Sequence, residues 1–130
     1  MIVVDSSAMV DLLLLRGKAP VIATHLGTNA GAVFVPHLLD VEVASALRRH
    51  ALAGLIDQAR LALAVARLLS LPLRRFGHEL LIARALELRA NVTAYDGVFL
   101  ALAEALGARL LTSDVRLADV PGHRVEVVVV

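Results

Sequence analysis

Four acidic residues stand where short apolar runs give way to polar sequence. Asp5 follows "IVV" directly, and Asp114 closes "TSD" after the run "ARLL". Glu42 sits one turn into "LLDVEVASALRR", which follows "AVFVP", and Asp96 opens "YDGVFLALAEALG". Ligands of an open parallel sheet bind beyond the carboxyl ends of its strands, so residues at those ends are the first to weigh for chemistry. Two carboxylates ~4 Å apart repel by about 4 kcal/mol at an effective dielectric of 20. A cluster of them must therefore take up protons or hold a cation. All-oxygen ligands favour Mg²⁺ or Mn²⁺ over Zn²⁺. The chemistry that follows is hydrolysis of a phosphodiester, in which such an ion activates water and neutralises phosphate charge.

Each acid also has a structural explanation. Asp5, Ser6 or Ser7 can cap a first helix, and Asp114 can cap a short one. Thr93 and Asp96 have the T-x-x-D spacing of a variant capping box, and an acid there suits the helix dipole. Glu42 is not at a cap; it flanks the apolar stripe of Leu39, Val43, Ala46 and Leu47, whereas Asp40 points to the solvent side. Phe99, Leu100 and Ala103 lie on the helical stripe of Asp96, which turns that acid inward. Asp11, one turn beyond Ser7, reads as a solvated helix position.

The elements that must position these groups alternate along the chain. Strands are expected at Ile2 to Val4, Ala32 to Pro36, "ARLLT" and "RVEVVVV". Helices are expected in "SSAMVDLLLL", "APVIATHLG", Leu38 to Gly54, Ile56 to Leu69, His78 to Arg89 and Ala94 to Leu106, with a helical turn at Val115 to Ala118. The strands are apolar throughout, the mark of a parallel sheet covered on both faces. The expected class is α/β, a three-layer α/β/α sandwich around a mainly parallel sheet, with residues 1–130 as one domain. The exposed risk of "VEVVVV" calls for pairing and cover.

Composition narrows the setting. There is no Cys, which excludes disulfides and thiolate metal sites. The net charge of +1 says little about partners, but Lys18 is the only Lys among 13 basic residues. Arg makes the planar, two-pronged contacts that suit phosphates. The hydrophobic fraction of 58% implies apolar surface that an oligomer or a tight protein partner would cover. No run is long and apolar enough for a membrane span, and the first residues lack a basic signal-peptide stretch, so a cytoplasmic location is expected.

"VVDSSA", "DVEVASALRR" and "TAYDGVFLALAEALGARLLTSDVRLA" together resemble the PIN-domain nucleases, and most nearly the VapC-type toxins of toxin–antitoxin pairs. The last motif is the specific one, joining an inward acid, an apolar helix, a Gly, a strand and a second acid. The resemblance covers the whole chain and implies a PIN-like fold with Asp5, Glu42, Asp96 and Asp114 as catalytic and metal-site acids. It implies Ser7 and Thr112 as supporting residues, Mg²⁺ or Mn²⁺ as cofactor and RNA as substrate. It further implies a homodimer neutralised by a cognate antitoxin. Arg116, Arg48 and Arg49 are the nearest candidates for contact with RNA phosphate, although Arg48 and Arg49 also suit a solvated helix face. Tyr95 beside Asp96 is the one ring placed to stack on a base.

Other readings fare less well. A phosphorelay receiver needs an acid pair after the first strand and a Lys late in the chain; Asp5 is followed by Ser6 and Ser7, and the only Lys is Lys18. Neither a P-loop nor G-x-G-x-x-G occurs, and the five His show no paired metal spacing. The remaining alternative is a non-catalytic PIN-like module that only binds protein. Four acids in register argue against it.

Overall fold

Runs of Val, Ile and Leu build the centre of a sheet, because branched side chains pack well on a pleated surface covered from both sides. The computed structural model describes all 130 residues. Its strands are β1 (Ile2–Val4), β2 (Val33–Pro36), β3 (Arg74–Phe76), β4 (Arg109–Thr112) and β5 (Val127–Val129). They form one sheet in the order β3-β2-β1-β4-β5, parallel at every pairing. Every residue of β1 and β2 is buried.

The helices are α1 (Ser6–Leu13), α2 (Ala19–Thr28), α3 (Leu38–Leu52), α4 (Gln58–Ser70), α5 (Ile82–Glu87) and α6 (Ala94–Leu106), with a 3-10 turn at Val115–Asp119. Parallel crossovers are right-handed. The chain steps from β1 to β2 to β3 in one direction, which places α1 to α4 in one layer, packed on one another. It then returns across the sheet to β4, which places α5 and α6 in the other layer, α6 lying over β1, β2 and β4. A core of 31 buried apolar residues joins the layers. No helix is long and apolar enough to cross a membrane.

Four elements differ from the sequence expectation. β3 is not among the expected strands; "RRF" carries no apolar run because it is an edge strand, paired only with β2 and largely exposed. The helix expected from His78 begins only at Ile82. His78 instead reaches the start of α3, where its Nε2 accepts the Leu38 N–H at 2.9 Å, a cap that the His37 side chain does not provide. β5 is shorter than "RVEVVVV" and forms the opposite edge; it pairs with β4, but its cover is incomplete. α6 is also more deeply set than a one-sided stripe, since every residue from Gly97 to Ala103 is buried. Gly97 suits this: a Cβ there would lie 3.1 Å from the Ala85 carbonyl oxygen, tighter than ordinary contact, so a side chain would push α6 and α5 slightly apart.

Candidate active site

The strand order reverses at β1, whose neighbours are β2 on one side and β4 on the other. Beyond their carboxyl ends the flanking segments diverge and open a cleft. Asp5 leaves β1 there, Asp114 follows β4, Glu42 lies just inside α3 after β2, and Asp96 sits in the first turn of α6. The acids therefore come from both helical layers and meet at one end of the sheet.

Asp5 is the most constrained. It is 5% exposed, and its Oδ1 accepts the Ala8 N–H at 3.0 Å, which caps α1. Ser7 Oγ donates to the same carboxylate at 2.8 Å, and Thr112 Oγ1 donates to Oδ2 at 2.5 Å. Each hydroxyl also ties down the loop after β4: Ser7 Oγ accepts the Ser113 N–H and Thr112 Oγ1 accepts the Asp114 N–H, both at 2.9 Å. Capping and site-building are thus one arrangement, and both supporting residues expected from the sequence lie on Asp5. Thr93 caps α6 by accepting the Asp96 N–H at 3.2 Å, and Asp114 caps the 3-10 turn by accepting the Arg116 N–H at 2.9 Å.

The acids perturb one another. Burial pushes the Asp5 carboxyl upward, backbone and hydroxyl hydrogen bonds partly offset this, and the Asp96 charge adds to it. Glu42 is raised by burial, moderated by the Ser6 hydroxyl beside it, and raised further by Asp96 and Asp5. Asp96 is raised by burial and by Asp114. Asp114 moves the other way, held down by the Arg116 guanidinium forked across both its oxygens. The donor set is all carboxylate, which suits a hard divalent ion. No three His, Asp or Glu side chains stand grouped here as metal ligands, so the four acids neighbour one another without forming a ready-made coordination sphere.

A groove of about 710 Å³ leads away from the acids. Glu42, Tyr95 and Ser113 border its acidic end, and Asp11, Arg16, Arg49 and His50 line the rest. Tyr95 is exposed there, whereas Arg48 is exposed outside the groove. Asp11 corrects the sequence expectation: it is 9% exposed, not solvated, because α1 is buried on several sides, and it pairs with Arg16 at 3.0 Å. Asp40 faces away from the acids as expected, but it carries a two-pronged contact from Arg75 of β3. Sequence reasoning missed Ser6 beside Glu42 and the Asp11–Arg16–His50 group. Only the place of Ser6 within the first motif could have signalled the former.

Comparison with known proteins bears on the family and the fold. The PIN domain family model matches residues 2–123. Ribonuclease VapC12 of Mycobacterium tuberculosis is 39% identical over 127 residues, 98% of this chain and 97% of its own. Ribonuclease VapC1 of the same species is 40% identical over 126 residues, 96% and 94% of the two chains. Among solved structures, VapBC2 from Rickettsia felis, bound to a DNA fragment from its promoter, superposes with a TM-score of 0.70 at 16% identity, covering 98% of both chains.

Proposed function

The chain belongs to the PIN-domain family and, within it, to the VapC ribonucleases, and from that membership we propose that it is a metal-dependent endoribonuclease, the toxin of a toxin–antitoxin pair. The observation that carries the proposal is the meeting of Asp5, Glu42, Asp96 and Asp114 at the switch point of the sheet, three of them raised by burial and mutual repulsion. Such a cluster is costly unless a cation neutralises it.

Asp5, Asp96, Asp114 and Glu42 would hold Mg²⁺ or Mn²⁺. When bound, the ion supplies stabilisation of phosphate charge and acidifies water. The chain's own residues do the rest. Ser7 and Thr112 fix the Asp5 carboxylate and lock the Asp114 loop to it. Glu42 and Asp96 are half-buried and less constrained, so they can adjust as the ion enters. Arg116 is exposed and forked over Asp114, so its guanidinium would be free to turn to an RNA phosphate if Asp114 were holding a cation. Arg49 in the groove is a second phosphate contact, and Tyr95 offers a face for one base. Arg48, on the solvent side of α3, is the weakest of the phosphate candidates.

The whole chain acts as one nuclease domain in the cytoplasm. Leu52, Leu55, Leu69 and Leu80 stand exposed, and a homodimer together with a cognate antitoxin would cover such surface. RNA incubated with the purified chain should be cut in Mg²⁺ or Mn²⁺ and left intact in chelator. Asp96→Asn should abolish cutting while keeping the wild-type circular dichroism. Equal cutting by wild type and variant, with contaminating nucleases excluded, rejects the proposal.

A further inference from the structure

The groove carries both signs of charge. Of the four site acids Glu42 alone lines it, and Arg16, paired with Asp11, and Arg49 line the rest. Arg16 is held from two sides. Nη1 donates to Asp11 Oδ1 at 3.0 Å, and Nη2 donates to His50 Nε2. The ring of His50 is itself fixed, because its Nδ1–H donates to the Ala46 carbonyl at 2.7 Å, which leaves Nε2 as the acceptor. The backbone adds a third tie, the Arg16 N–H donating to the Asp11 carbonyl at 2.9 Å.

This arrangement orients a cation. Asp11 is nearly buried and needs a partner, and Arg16 supplies it from a side chain that remains 45% exposed. Arg16 Nε–H and one proton on each terminal nitrogen have no protein acceptor, and a guanidinium offers five donors in a rigid fork. Arg49 stands on α3 beside His50, and its only side-chain partner is Ser45 Oγ at 3.1 Å. Two guanidiniums with free donors therefore line the one groove that Glu42 also borders.

Resting on the ribonuclease reading above, we propose that Arg16, positioned by Asp11 and His50, grips with Arg49 a phosphate of single-stranded RNA upstream or downstream of the scissile one. The site acids repel phosphate until a cation arrives, whereas the guanidiniums attract it at once. The strand is thereby threaded with its cleaved bond over the carboxylates and a neighbouring phosphate on the guanidiniums. Arg16 is a binding and positioning residue for a phosphate that does not react.

The test is equilibrium binding of a fluorescent 2′-O-methyl oligoribonucleotide, which resists cleavage, to the full chain over a range of salt concentrations without divalent metal. Wild type should bind with a marked salt dependence. Arg16→Gln should lose roughly tenfold in affinity, and the slope of log affinity on log salt should fall by about 0.7, the value for one phosphate contact on a single strand. Arg16→Lys should keep the slope. Because Arg16→Gln strands Asp11 and can lower stability, Arg49→Gln provides a second arm with the same expected loss of slope. Arg89→Gln, outside the groove, is the control. Unchanged slopes in both Arg16→Gln and Arg49→Gln, or no binding by wild type, overturn the proposal. A parallel cleavage assay separates it from the function: cleaving protein with unchanged slopes rejects only the anchor, whereas altered slopes in a chain that never cleaves RNA reject only the nuclease.

Discussion

Arg116 closes a two-pronged contact over Asp114, its Nε 2.9 Å from Oδ1 and its Nη2 on Oδ2, and thereby lays an internal positive charge against an acid of the cluster. The two residues are separated only by Val115, and the Asp114 carboxylate also accepts the Arg116 backbone N–H. The guanidinium is exposed, so the contact can open without unpacking the core.

A cation that takes Asp114 must displace that guanidinium. Arg116→Gln is expected to bind Mn²⁺ several-fold more tightly than wild type by calorimetry, with a slightly lower melting temperature in the absence of metal because Asp114 loses its counter-charge. Its KM for RNA should rise if the freed Arg116 serves as the phosphate contact proposed for it. Unchanged Mn²⁺ affinity would mean that the fork does not compete with the ion.

Thr112 is fully buried and serves two partners with one hydroxyl, donating to Asp5 and accepting from the Asp114 N–H. Thr112→Val keeps the shape and removes both bonds. It should cost about 1–3 kcal/mol, the usual penalty for stranding a buried polar group. Urea denaturation reads this directly, and the lost donor should push the Asp5 carboxyl still higher. A stability equal to wild type would show that water or a loop shift replaces the hydroxyl.

The pH dependence of stability follows from the shifted acids. Asp5, Glu42 and Asp96 bind protons more tightly folded than unfolded, so above their ordinary values of 3.8, 4.5 and 3.8 the folded chain holds the extra protons. Their contribution is most favourable at low pH and is lost as pH rises through the raised values. Asp114 and Glu104, lowered by Arg116 and Arg84, act oppositely: they contribute above their ordinary values and lose that contribution as pH falls through the lowered ones. Asp96→Asn isolates the first group. Without metal, the melting temperature of wild type relative to Asp96→Asn should improve as pH drops from neutral to about 4. A difference that stays constant with pH would show that Asp96 is not raised.

Much of the site is legible in the sequence because Asp5 and Asp114 each follow a run of branched apolar residues that reads as a buried strand. A strand end in a parallel sheet is a defined place. Asp96 is legible from the helix that it opens, although the helix proves buried on all sides rather than on one. What stays hidden has a common cause. β3 is polar because it is an edge, and nothing local distinguishes "RRF" from a loop. Asp11 looks solvated because periodicity within α1 cannot reveal how many neighbours surround it. Arg16 and His50 are 34 positions apart, and only the packing of α1 against α3 brings them together. In the sequence Asp5 and Asp96 look alike, each an acid at the start of a helix. The structure separates them: the Asp5 carboxylate receives one backbone N–H and two hydroxyls, and an amide cannot accept them all. Asp96 has only the weak contact from Thr93 at 3.3 Å.

For that reason Asp96→Asn is the variant to use in asking whether the acids form a divalent-cation site. The measurement is the melting temperature of the full chain titrated with Mn²⁺ at neutral pH. Wild type should rise on the order of 5 °C at millimolar Mn²⁺, as expected for a ligand well above its dissociation constant on a domain of this size. Asp96→Asn should rise far less. A wild-type chain unmoved by millimolar Mn²⁺, or a variant that rises equally, would contradict a metal centre built from Asp5, Glu42, Asp96 and Asp114.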